Sequence, residues 1–338
     1  MKWGIIGAGL IGKKRAAALA KLGEEVVAAA DVDLARAKEL AAQYGAQAYA
    51  DWKKITQDDG IDAVVVATTH DFLSEISIDA LAHGKHVLVE KPAGRNANEV
   101  KGIIDAEKKS GKLVCVGFNH RFHPAIMAAR KICLEKPYGP LLYMRARYGH
   151  GGRLGYEKEW RFNPQISGGG QLIDQGSHLI DITRFFAGEE MSLDFALCKN
   201  YFWKAKAEDT AVLVLESKSG VSSTLQTSCV TWKNLFSFEL YFERAQVNID
   251  GLGRSYGTEI LTIYKMRPQM GPPDVEARKF EGDDISWELE IKSFIAAING
   301  DAGGKGAPSG TQEHGTAQDA LASISIIGKA YSATWKRG

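Results

Sequence analysis

Short apolar runs separated by helical patterns open the chain. Residues 3–6, 25–30 (EVVAAA), 63–67 (AVVVA), 86–90 (HVLVE) and 113–117 (LVCVG) read as strands. Unbroken apolar runs of this length suit strands buried on both faces. Residues 11–22 and 35–44 carry helical periodicity between them, and 74–83 reads as a helix ended by Gly84. Strands alternating with helices imply parallel βαβ units. The pattern changes after about residue 122. Residues 141–148, 211–216, 221–230, 235–242 and 260–266 are β-like, and several alternate polar with apolar positions. That alternation predicts a mostly antiparallel sheet covered on one face. Helical patterns interrupt it at 170–187 and 285–299, with a last one near 317–335. Residues 300–310 (GDAGGKGAPSG) read as a flexible connector before that helix.

The turn after the first strand is Gly7-Ala8-Gly9-Leu10-Ile11-Gly12, a GxGxxG between a strand and a helix. Glycines there allow a tight turn, approach of a pyrophosphate and close helix–strand packing, with the helix N-terminus facing the anion. Asp31 closes the second strand, about 20 residues on, where a carboxylate accepts hydrogen bonds from a ribose diol. This predicts a dinucleotide site and favours NAD over NADP. Arg36, which could reach a 2′-phosphate, leaves NADP as the alternative. The fold class is therefore α/β. An N-terminal Rossmann domain with a doubly wound parallel sheet spans residues 1–122. An α+β domain with a large open, mostly antiparallel sheet spans 123–338.

Charge and cysteine content narrow the partners. Lys and Arg number 42 against 41 Asp and Glu, a net charge of +1 across 338 residues. A nucleic-acid partner would need a concentrated basic surface, so none is expected. The N-terminus lacks the pattern of a signal peptide. No apolar run approaches the ~20 residues of a membrane span, so no membrane partner is expected. Cys115, Cys133, Cys198 and Cys229 are widely spaced without a CxxC pair. A disulfide framework or zinc cluster is not expected, and a cytoplasmic location is.

Two further segments carry candidate chemistry. Lys91 ends the run GKHVLVEKP at the carboxyl end of a strand, where open α/β sheets place ligands. Taken alone, it reads more readily as a surface lysine. In GGGQLIDQGSHLID (168–181), helical spacing puts Asp174, His178 and Asp181 on one side, and Leu172, Leu179, Ile182 and Phe186 on another as a core stripe. Asp174 and His178 can act on one ligand or on each other.

Four segments together resemble the Gfo/Idh/MocA oxidoreductase family: residues 7–12, 84–92 (GKHVLVEKP), 117–122 (GFNHRF) and 168–181. They occur in the family's order and span most of the chain. The resemblance implies a Rossmann domain, then an open-sheet domain for substrate binding and oligomerisation. It also implies NAD or NADP, and a homodimer or homotetramer. The implied substrates are sugars, nucleotide sugars or cyclitols, reacting at a secondary alcohol. By the same resemblance Lys91, Asp174 and His178 are catalytic and also touch substrate. Arg121 and Tyr156 join them at the substrate. Gly7, Gly9, Leu10, Ile11, Gly12, Asp31, Arg36, Thr68, Thr69, Glu90, Lys91, Asn119, Trp160 and Arg161 are expected around the cofactor. One segment departs. Where the family commonly has Thr-Pro-Asn, two residues and His, this chain has Thr68-Thr69-His70-Asp71-Phe72-Leu73.

Other features carry less. Residues 149–170 form a long Gly-rich stretch with Arg153, Tyr156, Trp160 and Arg161, a content suited to sugar stacking and anion contacts. Tyr143, Arg145 and Arg147 share a strand face that could meet an anion or another subunit. His120, His123 and His150 could suggest a metal, but no spacing demands one, and none is expected. Trp203, Trp232 and Trp287 read as core or interface aromatics. The expected activity is hydride transfer between nicotinamide and a secondary alcohol of a sugar or polyol. NAD-dependent glycoside cleavage and a non-catalytic sugar or dinucleotide sensor are the alternatives.

Overall fold

A computed structural model describes residues 1–300 and 313–334. Residues 301–310 of the expected connector and residue 335 lie outside the described residues.

The first sheet has six strands: β1 (Lys2–Ile6), β2 (Glu25–Ala30), β3 (Gln47–Tyr49), β4 (Ala63–Val66), β5 (His86–Glu90) and β6 (Val114–Gly117). Their order is β3-β2-β1-β4-β5-β6 and every pairing is parallel. That is the doubly wound order, and its direction reverses between β1 and β4, where such sheets bind ligands. All four residues of β4 are buried, as an unbroken apolar run requires. α1 (Leu10–Lys21) follows β1. α2 (Leu34–Ala42) starts at an Asp33 cap, whose side chain accepts from Ala35 N–H at 3.0 Å. The helix expected at 74–83 spans His70–Ala82. Its first two residues, His70 and Asp71, are polar and hide the start from apolar periodicity, while Asp71 there suits the positive helix end.

Compactness does not follow chain order. Met1–Asn119 form one unit with the stretch from Trp287 to 300 and the described residues up to Ile324. The boundary read from sequence put everything after 122 in the second domain. Ile291 and Phe294, on the helix Ser286–Ile298, are instead fully buried in one cluster with Trp3, Leu19 and Leu88. An edge-on contact of Phe294 with Trp3 (6.3 Å) belongs to the same core.

His120–Ser286 and the residues from Ser325 form the second unit. Its strands are β7 (Leu141–Gly149), β8 (Met191–Lys199), β9 (Thr210–Ser217), β10 (Ser222–Ser228), β11 (Leu235–Phe242), β12 (Ala245–Asp250), β13 (Glu259–Lys265) and β14 (Asp274–Phe280). They form one sheet in the order β14-β13-β12-β11-β7-β10-β9-β8. Among the described residues of this sheet only β7 and β10 pair in parallel. Met144, Ala146 and Tyr148 of β7 are buried on one face, whereas Tyr143, Arg145 and Arg147 stand exposed on the other. Helices Pro124–Glu135 and Ser177–Ala187 cover the buried face, with Phe186 edge-on to Phe238 of β11 at 5.1 Å. Among the described residues no helix is long and apolar enough to cross a membrane.

Candidate active site

The residues singled out by sequence fall into two sets, one within each unit.

In the first unit the turn from β1 to α1 is built for an anion. Gly7 has φ of 99° and its N–H donates to Ala30 O at 2.8 Å. A side-chain carbon on Gly9 would meet no atom within 4 Å, so packing does not demand glycine there. The open space leaves room for a ligand against the backbone. The first intrahelical bond of α1 runs from Lys13 N–H to Gly9 O at 3.0 Å. The N–H groups of Leu10, Ile11 and Gly12 precede it and form the positive end of the helix. Leu10 is 73% exposed beside them and Ile11 is half-buried. Asp31 braces the turn: Oδ2 accepts from Ala8 N–H and Oδ1 from Asp33 N–H, each at 2.9 Å. A carboxylate has about four acceptor positions, so ribose hydroxyls can still be taken. These residues fit a dinucleotide.

The other residues of this set differ in value. Arg36 is exposed and ion-paired with Asp33 at 3.3 Å. Thr68 and Thr69 follow β4. Thr68 Oγ1 donates to Thr69 O (3.1 Å) and Thr69 Oγ1 to Asp71 (2.6 Å). Leu73, where the resemblance expects His, is fully buried, so that position serves the core here. Glu90 was expected at the cofactor, but its carboxylate is taken inward by Arg15, with Nε to Oε1 at 2.8 Å. Lys91 is half-buried at the end of β5 and precedes Pro92 through a cis peptide bond. Asn119 is buried.

In the second unit Asp174 lies on a π-turn, Leu172–Gly176, that runs directly into the helix Ser177–Ala187. Such wide turns occur often at functional sites. The helix is buried all round from Ser177 to Phe186, so the division into a polar face and a core stripe does not hold. Ion pairs make this possible. Asp181 takes Arg121 through two hydrogen bonds (2.8 and 2.5 Å), and Arg184 takes Glu190 (2.9 and 2.6 Å). Arg121, expected at the substrate, is 1% exposed and committed to Asp181, with Phe185 against its guanidinium at 5.0 Å.

Asp174 and His178 are 7% and 5% exposed. The 149–170 stretch contributes Arg161, whose Nε lies 3.5 Å from Asp174 Oδ2 and whose guanidinium lies over the Trp160 ring at 4.8 Å. Arg161 thus meets Asp174 in this unit, with Trp160 behind its guanidinium. Tyr156 does not present itself to a ligand. It is buried edge-on to Phe162 (5.2 Å) and Trp203 (5.7 Å), its hydroxyl 3.3 Å from His150 Nε2. Burial raises its phenol above the usual range. Trp203 belongs to this core, Trp287 packs against the first unit's core, and Trp232 is exposed.

One ring was missed as a partner of His178. His120 stacks on it with centroids 3.6 Å apart and planes 13° from parallel, and His120 Nε2 lies 3.0 Å from Tyr148 Oη. A histidine in the GFNHRF run was visible, but a contact this distant along the chain leaves no local pattern. His123 is held by Glu259 at 2.7 Å. Among the described residues no group of three or more His, Cys, Asp or Glu is placed to hold a metal ion.

Residues 1–118 match the Gfo/Idh/MocA oxidoreductase family, NAD-binding Rossmann fold. Residues 126–248 match the Gfo/Idh/MocA C-terminal domain. A levoglucosan dehydrogenase of Pseudarthrobacter phenanthrenivorans is 33% identical over 208 residues. That match takes in 57% of this chain and 53% of the relative, about half its length. The structure of levoglucosan dehydrogenase in complex with NADH and levoglucosan superposes with a TM-score of 0.86 at 23% identity, covering 99% of this chain and 98% of that one. A 3-ketoreductase from Actinomadura kijaniata, in complex with NADP and TDP-benzene, gives a TM-score of 0.82 at 19% identity, covering 99% and 98%.

Proposed function

The chain belongs to the Gfo/Idh/MocA family of NAD(P)-dependent oxidoreductases, and on that premise we propose that it is an NAD-dependent dehydrogenase acting on a secondary alcohol of a sugar or cyclitol. The observation that carries the proposal is the burial of Asp174 and His178 four residues apart on a π-turn and the helix it enters, with Arg161 at 3.5 Å from the carboxylate. A buried acid and imidazole at one helix end suit the two tasks of alcohol oxidation. One group takes the hydroxyl proton, and the other fixes a neighbouring hydroxyl.

The bound nicotinamide supplies the hydride acceptor. His178 accepts the proton of the reacting hydroxyl. Asp174, held by Arg161, accepts from an adjacent hydroxyl and orients the ring of the substrate. Lys91 donates to the reacting oxygen and stabilises its developing negative charge. Asp31 favours NAD, because a carboxylate on the ribose edge repels a 2′-phosphate. The substrate class is supported by the likeness to levoglucosan dehydrogenase, whose structure is a complex with NADH and levoglucosan. A homodimer or homotetramer is supported by the exposed face of the second sheet. Tyr143 and Phe195 stand there 44% and 52% exposed, and Tyr143 stacks on Tyr241 at 4.1 Å.

Sugars, inositols, anhydrosugars and nucleotide sugars incubated with NAD and the purified protein test this reading. NADH should accumulate with at least one ring polyol. Release of an aglycone without net NADH would instead identify glycoside cleavage. NAD binding without turnover on any of them would point to a sensor.

A further inference from the structure

We propose that Glu208 is a positioning residue for the reaction, a distant carboxylate that caps the turn carrying Asp174 and so fixes the helix bearing His178. The inference rests on the dehydrogenase reading above.

Glu208 lies two residues before β9 and is fully buried. Its carboxylate meets the start of the π-turn from the side. Oε1 accepts from Leu172 N–H at 2.9 Å and from the Tyr331 hydroxyl at 2.8 Å, while Oε2 accepts from Gly170 N–H at 3.0 Å. Its own backbone carbonyl takes Gln171 N–H at 3.1 Å. Three successive backbone donors, from Gly170 to Leu172, therefore end on this one residue. Gln171, in the capping position, makes no side-chain cap of its own. The approach is close enough that a side-chain carbon on Gly170 would overlap the Glu208 carbonyl, so glycine is required there.

The first N–H groups of a helical turn have no partner within it, and a carboxylate is the strongest acceptor for them. A buried carboxylate without a cation is expensive, so a turn needing only neutral capping has cheaper solutions in Ser or Asn. The titratable groups facing Glu208 are Tyr331, Cys198 and Cys229, with Asp209 next to it in the chain. Burial raises Tyr331 and Cys229 and pushes Cys198 up to about 12, so all three stay neutral at pH 7. Burial also raises the Glu208 carboxyl itself, and in its ionised form the charge points at the backbone donors of the catalytic turn. From Leu172 the chain passes through Asp174 to His178 in under two turns, and a displaced start moves both groups together.

Glu208→Gln keeps the volume but sets an amide NH2 against one of the backbone donors. In the holoenzyme we expect kcat to fall roughly ten- to a hundredfold, the scale of a small misplacement of catalytic groups. KM for NAD and the affinity for NADH should stay at the wild-type value. Hydrogen–deuterium exchange should rise in residues 168–178 and nowhere else. Tyr331→Phe removes one of the three donors but keeps the carboxylate, so the same changes should appear on a smaller scale. A Glu208→Gln protein with kcat within about twofold of wild type and unchanged exchange at 168–178 overturns the proposal. If Glu208→Gln does not fold, Tyr331→Phe decides, and wild-type turnover and exchange in that variant overturn it. If the wild type oxidises no polyol, the dehydrogenase reading fails by itself. Local exchange in the variants then still supports or overturns the cap.

Discussion

The imidazoles of His120 and His178 lie face to face, 3.6 Å between centroids and 13° from parallel. His120 is itself held by the Tyr148 hydroxyl at 3.0 Å, so the stack fixes the plane of the His178 ring proposed as the base. His120→Ala should lower kcat about tenfold, on the order of the 0.5–1.5 kcal/mol of a stacked pair. His120→Phe keeps the flat neighbour and loses the Tyr148 hydrogen bond, so it should retain turnover within a few-fold of wild type. Equal losses in the two variants would show that the hydrogen bond matters and the stack does not.

Removing the proposed base gives a sharper outcome. His178→Asn should cut turnover by roughly a hundredfold or more, the usual scale for a positioned general base. NADH binding should survive, because the Gly7–Gly12 turn and Asp31 are untouched. Lys91→Ala should also slow turnover, and the double variant should lose less than the product of the two effects, as for groups serving one step. Near-normal kcat in His178→Asn with none in Lys91→Ala would make Lys91 the base.

What the sequence shows and hides follows from the range of the interactions. Unbroken runs such as AVVV in β4 are legible because both faces are buried. β14, DVEARKF, was missed because a charged edge strand is held by backbone pairing to β13 and carries no apolar stripe. The three residues of β3 are too few to show a period. Helical spacing brought Asp174 near His178, but a π-turn and an α-turn leave the same residue types in the same order. The commitments of Arg121 to Asp181 and of Glu90 to Arg15 join residues 60 and 75 apart. No local pattern marks them, so both were read as ligand contacts.

Asp31 sets the cofactor prediction. The wild type should bind NADH more tightly than NADPH in a fluorescence titration. Asp31→Ala should narrow the difference and also weaken NADH, since the Ala8 N–H brace at 2.9 Å is lost with the ribose contact. Equal or tighter NADPH binding by the wild type contradicts the assignment and gives Arg36 the phosphate.

Arg15 couples α1 to β5 through a buried triad. Glu90 lies 2.7 Å from Nη2 and Glu290 lies 2.5 Å from Nη1. Burial alone would lower the Arg15 pKa, but Glu290 and then Glu90 raise it above the ordinary range. Arg15→Met strands two carboxylates in the core and should cost about 3–5 kcal/mol in urea unfolding. Arg15→Met with Glu290→Leu should recover part of that loss, because a stranded charge is removed. A single variant as stable as wild type would mean that the triad contributes nothing to the fold.

Glu208 also predicts how stability varies with pH. Burial raises its carboxyl from the ordinary 4.5 to about 7, against the opposing hydrogen bonds from Leu172, Tyr331 and Gly170. A group with a raised folded-state pKa favours folding most when protonated. Its contribution is therefore fully present below about pH 4.5 and is lost as pH rises through about 7. A shift of this size corresponds to a few kcal/mol, at 1.36 kcal/mol for each unit. Other carboxylates, such as Asp181 with Arg121, act in the opposite sense and at lower pH, so the whole-protein curve mixes both. The difference between wild type and Glu208→Gln isolates the one group. Unfolding free energies measured from pH 5 to pH 8 should show wild type losing ground to Glu208→Gln as pH rises, with the steepest change near 7. A difference that stays constant over this range would mean that Glu208 does not titrate there.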